Sequence, residues 1–268
     1  MTERPSLTTA IDTHTHLNHP RLLRRLDQVL ARAREAGVSQ MVVVGYDLPS
    51  SETAVALARQ HPCLYASVGV HPHDAGGVSD GTLARLRELA RGERVVAIGE
   101  TGLDFYRDLA PREAQTESFR RHLALAVELG LPAIVHCREA QEALLEILTA
   151  RKSELPSLIW HCFDGTREQA ETALALGAFL GFGGTLTYPR GEEMREVAAA
   201  APEGRILVET DCPYLSPEPT RGRDNEPANL TLIIDRLAAI RRAERATTAT
   251  ATAENARRVF SLIEESHG

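Results

Sequence analysis

Lysine is nearly absent from the sequence: among 30 basic residues in 268, only Lys152 is not arginine. Cysteine occurs four times, at Cys63, Cys137, Cys162 and Cys212, with no C-x-x-C pair. That spacing offers neither a thiolate metal knuckle nor a disulfide framework, and the four read as buried small hydrophobes. Aromatic residues make up 4% of the chain. No apolar run approaches a membrane span, and segment 1–9 lacks the charged-then-apolar pattern and cleavage site of a secretion signal, so a cytoplasmic location is expected. With a net charge of -7, the chain lacks the broad basic footprint of a duplex-coating protein, and any nucleic-acid contact should be local.

What is present is alternation. Apolar runs at Ala10-Asp12, Met41-Gly45, Leu64-Val70, Val95-Gly99, Ala133-Val135, Leu158-Trp160, Ala178-Phe182 and Ile206-Val208 read as strands, and each interval between them leaves room for one helix. Helical spacing recurs at Leu22, Leu26, Val29 and Leu30, at Phe119, Leu123, Ala126 and Val127, at Leu144, Leu145 and Leu148, and at Ala170, Ala173, Leu174 and Leu176. Gly130 with Pro132, and Gly177, supply stop signals. Eight strand–helix repeats predict an α/β fold, a (β/α)8 TIM barrel, with residues 1–268 forming one domain. The competing open doubly wound sheet calls for a glycine-rich phosphate loop after the first strand, where His14-Thr15-His16 stands instead. Residues 246–253, rich in Ala and Thr, read as the approach to a final helix from Glu254 to Phe260.

Barrels of this kind carry function at the C-terminal ends of their strands. Six of the ten histidines fall there: His14, His16, His71, His73, His136 and His161. In an extended strand His14 and His16, two positions apart, aim the same way. Glu100 follows the fourth strand and Asp211 the eighth. His14, His16, Glu100, His136, His161 and Asp211 thus offer four imidazoles and two carboxylates, more than one tetrahedral ion needs. Two divalent ions bridged by Glu100 are expected, an arrangement suited to clamping the oxygens of a phosphate ester during in-line displacement. A carbamylated lysine could bridge such ions only from a middle strand, and Lys152 sits at the end of a helical stretch. Cys137, Cys162 and Cys212 each directly follow a candidate ligand and by alternation should face away.

With two ions already furnished, His71 and His73 are assigned to substrate phosphate, and Arg138, Arg221 and Arg223 are placed to grip backbone phosphates. Tyr46, Phe105, Tyr106, Phe163, Tyr188 and Tyr214 all come shortly after strand ends. Of these Tyr106, Phe163 and Tyr214 are taken as stacking contacts for unpaired bases, which favours a single strand or frayed end over intact duplex.

Seven motifs in order make the chain resemble the TatD family of metal-dependent deoxyribonucleases, in the amidohydrolase-like superfamily. They are Asp12-Thr13-His14-Thr15-His16-Leu17, Gly69-Val70-His71-Pro72-His73, Gly99-Glu100-Thr101-Gly102-Leu103-Asp104, the stretch from Gln115 through Phe119 and His122 to His136-Cys137-Arg138, His161-Cys162-Phe163, residues Glu209 to Leu215, and residues Arg221 to Pro227. The resemblance implies His14, His16, Glu100 and Asp211 around one ion, and Glu100, His136 and His161 around the other. It also implies hydrolysis of DNA phosphodiesters with Mg, Mn or Zn, 3′ to 5′ exonuclease polarity and a place in DNA repair or degradation. Asp211 is expected to be the general base, with Glu100 the second catalytic residue. Two positions depart from the pattern: Asn18 stands where Asp is frequent, and Asp224 where a basic residue often precedes Asn225-Glu226-Pro227. The same ligands would also serve a bimetal hydrolase of small amides, esters or lactones. A non-catalytic binding module would show disrupted ligand motifs, and none is seen.

Overall fold

A parallel pairing of each strand with the next in sequence organises the computed structural model, which describes residues 10–262. Segment 1–9, read above for a targeting signal, and His267 lie outside the described residues. The strands are β1 (Ala10–Thr15), β2 (Val38–Val44), β3 (Leu64–Val68), β4 (Val95–Asp104), β5 (Ala133–Arg138), β6 (Leu158–Trp160), β7 (Phe179–Phe182) and β8 (Ile206–Val208), in the order β1 to β8 across one sheet. The ring is completed beyond the end of β8 by a parallel bridge between Thr15 and Cys212. Asp211 N–H donates to the His14 carbonyl (2.9 Å) and His16 N–H to the Cys212 carbonyl (2.8 Å). The predicted barrel is therefore observed, and its seam closes at the end where the candidate ligands lie.

Strand β4 runs five residues past the expected end at Gly99, pairing Thr101 to Asp104 with Val135 to Arg138 of β5. Polar side chains at a barrel mouth do not interrupt backbone pairing, so the change from apolar to polar residues is a poor guide to a strand's end. Gly102 makes this extension possible. Its φ of +146° and a would-be Cβ 1.9 Å from the His136 carbonyl oxygen leave room only for glycine.

Helices α1 (Pro20–Leu23), α2 (Leu26–Glu35), α3 (Leu48–Gln60), α4 (Asp80–Ala90), α5 (Arg112–Leu129), α6 (Gln141–Ala150), α7 (Arg167–Ala175), α8 (Glu192–Ala200), α9 (Leu230–Arg241) and α10 (Arg245–Phe260) complete the described residues together with short 3-10 turns. Buried Leu22, Val29, Phe119, Leu123, Leu144 and Ala173 join the main apolar cluster between sheet and helices, whereas Val127 is 45% exposed. The Ala/Thr-rich stretch is not an approach but the first half of α10. The hydroxyls of Thr248 and Thr252 donate to carbonyls one turn earlier (3.0 and 2.9 Å), which lets β-branched polar residues sit inside a helix. Ala253, Ala256, Val259 and Phe260 of this helix pack with interior residues such as Ile11, Val42, Ile134 and Leu207, away from the mouth.

His122 on α5 ties a helix to the loop that carries His71. Its Nδ1–H donates to the Ser118 carbonyl (2.8 Å), and Nε2 accepts from Val70 N–H (3.2 Å). Burial pushes its pKa down from 6.5 to about 4. Between those values the unfolded chain binds the proton and the folded one does not, so stability is full above pH 6.5 and lost as pH falls toward 4. Urea unfolding should therefore show the wild type losing about 3 kcal/mol more than a His122→Asn variant over this window. Parallel pH curves for the two proteins would remove the assignment.

Candidate metal centre

The seam positions the first ligands. Asp12, buried in β1, accepts from Thr210 N–H (2.9 Å) and the Thr210 hydroxyl (2.6 Å), clasping β1 to the segment after β8. Burial pushes the Asp12 carboxyl up to about 8 while these donors pull it down. One residue beyond the clasp, Asp211 holds a left-handed φ of 56°, a conformation that strains an L-residue and tends to persist where function needs a side chain aimed. His14, His16 and Asp211 consequently share one side of the mouth.

Glu100 lies between two groups of imidazoles. Its Oε2 faces His14 Nε2 (3.4 Å) and His16 Nε2 (3.7 Å), while Asp211 Oδ1 is 3.3 Å from His16 Nε2 and 3.7 Å from His14 Nε2. Its Oε1 faces the opposite way, toward His136 Nδ1 (2.8 Å), His161 Nε2 (3.1 Å) and His71 Nε2 (3.6 Å). All six candidate ligands are thus brought together, and each oxygen of one carboxylate serves a different group. None of the four cysteines belongs to a cluster able to hold an ion among the described residues.

For three of the four candidate ligand rings the far nitrogen says which side presents a lone pair. His16 Nδ1–H donates to the Val44 carbonyl (3.3 Å), His161 Nδ1–H to Glu209 Oε1 (3.2 Å), and His136 Nε2–H to Asp104 Oδ2 (3.3 Å). A neutral ring so engaged carries its free lone pair on the inward nitrogen, the usual outer support of a metal-binding histidine. His71 is the reverse case. Its Nδ1 accepts from His73 N–H (3.2 Å), so the neutral ring bears its proton on Nε2, which makes it a donor even though it clusters with Glu100 and His136.

Inward ligand atoms crowd at short range: His136 Nδ1 and Glu100 Oε1 at 2.8 Å, His14 Nε2 and His16 Nε2 at 3.3 Å, while the Nδ1 of His14 is buried without a hydrogen-bond partner. Such an arrangement calls for protons or cations between the atoms. Burial alone would push Glu100 up, but the charge of His161, foremost among the surrounding imidazoles, holds it well below the usual carboxylate range. Burial pushes His161 down, yet the charges of Glu100 and Glu209 raise it well above an ordinary imidazole. Asp211 is likewise held low, by the His16 hydrogen bond acting against burial. His16 and His136, like His161, are raised against burial by the neighbouring carboxylates, whereas burial lowers His14 and His71. This mix of ionised oxygen donors and neutral imidazole nitrogens fits divalent cations.

Glu209, Asp104 and Gln115, quoted in motifs without a role, and Asn18, noted as a departure, support the ligands. Glu209 is fully buried and, besides His161, accepts from Cys162 N–H. It presses on β7 where a Cβ on Gly181 would lie 2.6 Å from its Oε2, so the glycine makes its room. Asp104 also accepts from His73 Nε2 (2.8 Å), and Gln115 grips its backbone from both sides. Asn18 donates to the Val44 carbonyl (2.9 Å) that holds His16 and to the Ser50 carbonyl (3.0 Å). A carboxylate at position 18 would offer those carbonyls no donor. The one signal available in the sequence was an acid or amide within a strand-end motif.

Around the mouth, Arg138 stacks over exposed Tyr106 (3.9 Å to the ring centre), Arg221 over Tyr188 (4.2 Å) and Arg21 over Tyr214 (5.1 Å). Arg223 is exposed. Asp224, the second departure, pairs with Arg21 (2.8 Å) and Arg25 (3.6 Å), so its charge is compensated from α1 and the turn behind it. Phe163 must be corrected: it is wholly buried against Trp160 and Phe182 and has no face open to a base.

A family model described as TatD related DNase matches residues 11–261. The 3′-5′ ssDNA/RNA exonuclease TatD of Erwinia tasmaniensis is 43% identical over 257 residues, 94% of this chain and 99% of that one. The uncharacterized metal-dependent hydrolase YabD of Bacillus subtilis is 39% identical over 251 residues, covering 94% and 98%. Among solved structures YJJV, a TatD homolog from Escherichia coli K12, superposes with a TM-score of 0.90 at 33% identity over 95% of this chain and 98% of that one. A seam-closed barrel with imidazoles and acids gathered at its mouth, matched along nearly its whole length, places this chain in the TatD family of metal-dependent hydrolases.

Proposed function

We propose that the protein hydrolyses phosphodiester bonds of nucleic acid as a 3′ to 5′ exonuclease on single-stranded or frayed DNA ends, with two divalent ions. The observation that carries this reading is the division of Glu100, one oxygen toward His14 and His16 and the other toward His136 and His161. His14, His16, Asp211 and Glu100 would hold one ion, and Glu100, His136 and His161 the other. Bound there, the ions would supply an acidified water and charge stabilisation for the phosphoryl oxygens. The name of the Erwinia relative supports the choice of substrate and polarity.

The chain's own part is positioning and proton transfer. Asp211, ionised and 12% exposed at its side chain, accepts the proton of the attacking water. His71 donates through Nε2 to a phosphoryl oxygen, with His73 beside it. Arg138, Arg221 and Arg223 attract the backbone phosphates, while Tyr106 and Tyr214 offer exposed ring faces for bases. Single strands labelled at the 3′ or 5′ end, and the matching duplex, should be incubated with Mn²⁺ or with EDTA beside a panel of small amides and esters, after the metal content of the purified protein is measured. Expected are two ions per chain and shortening of 3′ ends that EDTA abolishes. Turnover of the small esters alone, or nuclease activity surviving exhaustive chelation, overturns the reading.

A further inference from the structure

A groove of about 480 Å³ opens beside the ligand cluster, between the turn after β2, the turn after β3 and the segment leading into α5. All three connections lie on the C-terminal face of the barrel, where the ligands are. His73 belongs to both places: it lines the groove and its Nε2 is 2.8 Å from Asp104, which in turn holds His136. The walls are apolar, from Leu48, Val70, Val78 and Leu109, and the charged groups among its lining residues are the carboxylates of Asp47 and Asp74. No lysine or arginine lines it. The stacked arginines 138 and 221 follow β5 and β8 instead.

The face is therefore divided by charge. Phosphates are repelled by the groove's acids and attracted to the arginine side. What fits the groove is flat, uncharged and partly apolar, with N–H donors at its edge, and its volume suits a small organic group. We infer that this groove is the subsite for the terminal nucleobase of the strand being cut, with Asp47 and Asp74 accepting from exocyclic amino groups. The inference rests on the nuclease reading above. It adds a base preference: ends bearing adenine, cytosine or guanine over thymine or uracil.

The test uses the metal-loaded full chain and single-stranded oligonucleotides alike except at the terminal nucleotide, which carries cytosine, uracil or no base, made for each end. The wild type should show a KM roughly tenfold or more higher for the abasic end than for cytosine, the scale of one lost base contact, and should prefer cytosine to uracil. Asp74→Ala, on an exposed turn, should narrow the cytosine–uracil difference, and Leu109→Arg, at a position 67% exposed, should narrow the gap between cytosine and abasic ends. Both sites are exposed enough that folding is not at stake. Equal KM values for abasic and cytosine ends that are both degraded overturn the base subsite and leave the nuclease reading standing. Failure to cut any strand with Mg²⁺, Mn²⁺ or Zn²⁺ brings down both.

Discussion

Glu100→Gln should leave the barrel folded and strip it of most of its metal and activity. The amide has nearly the shape of the carboxylate but only one acceptor oxygen and no charge, so it can face His14 and His16 or His136 and His161, not both. Loss of a shared ligand should exceed the ~10–100-fold that outer partners of a metal ligand typically cost. A graded series makes the comparison: Glu209→Gln, which still offers His161 Nδ1–H an acceptor oxygen, should weaken ion affinity by only ~10–100-fold. Metal content by mass spectrometry and Mn²⁺ titration calorimetry read both variants without relying on turnover. Two ions bound with undiminished affinity by Glu100→Gln would show that the bridge is not there.

Asp211→Asn is the second large effect. Asparagine keeps the size of the side chain but cannot take a proton, and the loss of a positioned base costs ~10²–10⁴ in rate. The decrease should appear in kcat at saturating Mn²⁺, with KM and thermal midpoint close to those of the wild type. Saturating metal separates the two roles of this residue, because a variant that had merely lost affinity would recover. Near-normal kcat under those conditions assigns the proton to another acceptor.

Much of this was legible before any tertiary structure. The strand–helix alternation and the crowding of histidine and acid at strand ends identified the barrel and its six candidate ligands. What misled was proximity. Phe163 comes just after a strand end, as a mouth aromatic would, but Cys162 before it adopts a left-handed φ of 46°, breaking the alternation on which side-chain direction was judged. The ring enters the core between Trp160 and Phe182. The end of β4 was missed for a related reason, since Gly102 extends the strand through a close approach to β5 that no single-strand pattern reveals.

Hydrophobic period is carried by each segment alone, so the sequence by itself determined the architecture and the residue types that meet at the mouth. Which ring nitrogen is free and where the surface turns from cationic to anionic were decided only by tertiary structure. The partners that settle those points are remote in the chain: Val44 is 28 residues from His16, Asp104 is 32 from His136, and Glu209 is 48 from His161. A proton's place on an imidazole depends on the atom facing it, and that atom is chosen by barrel closure.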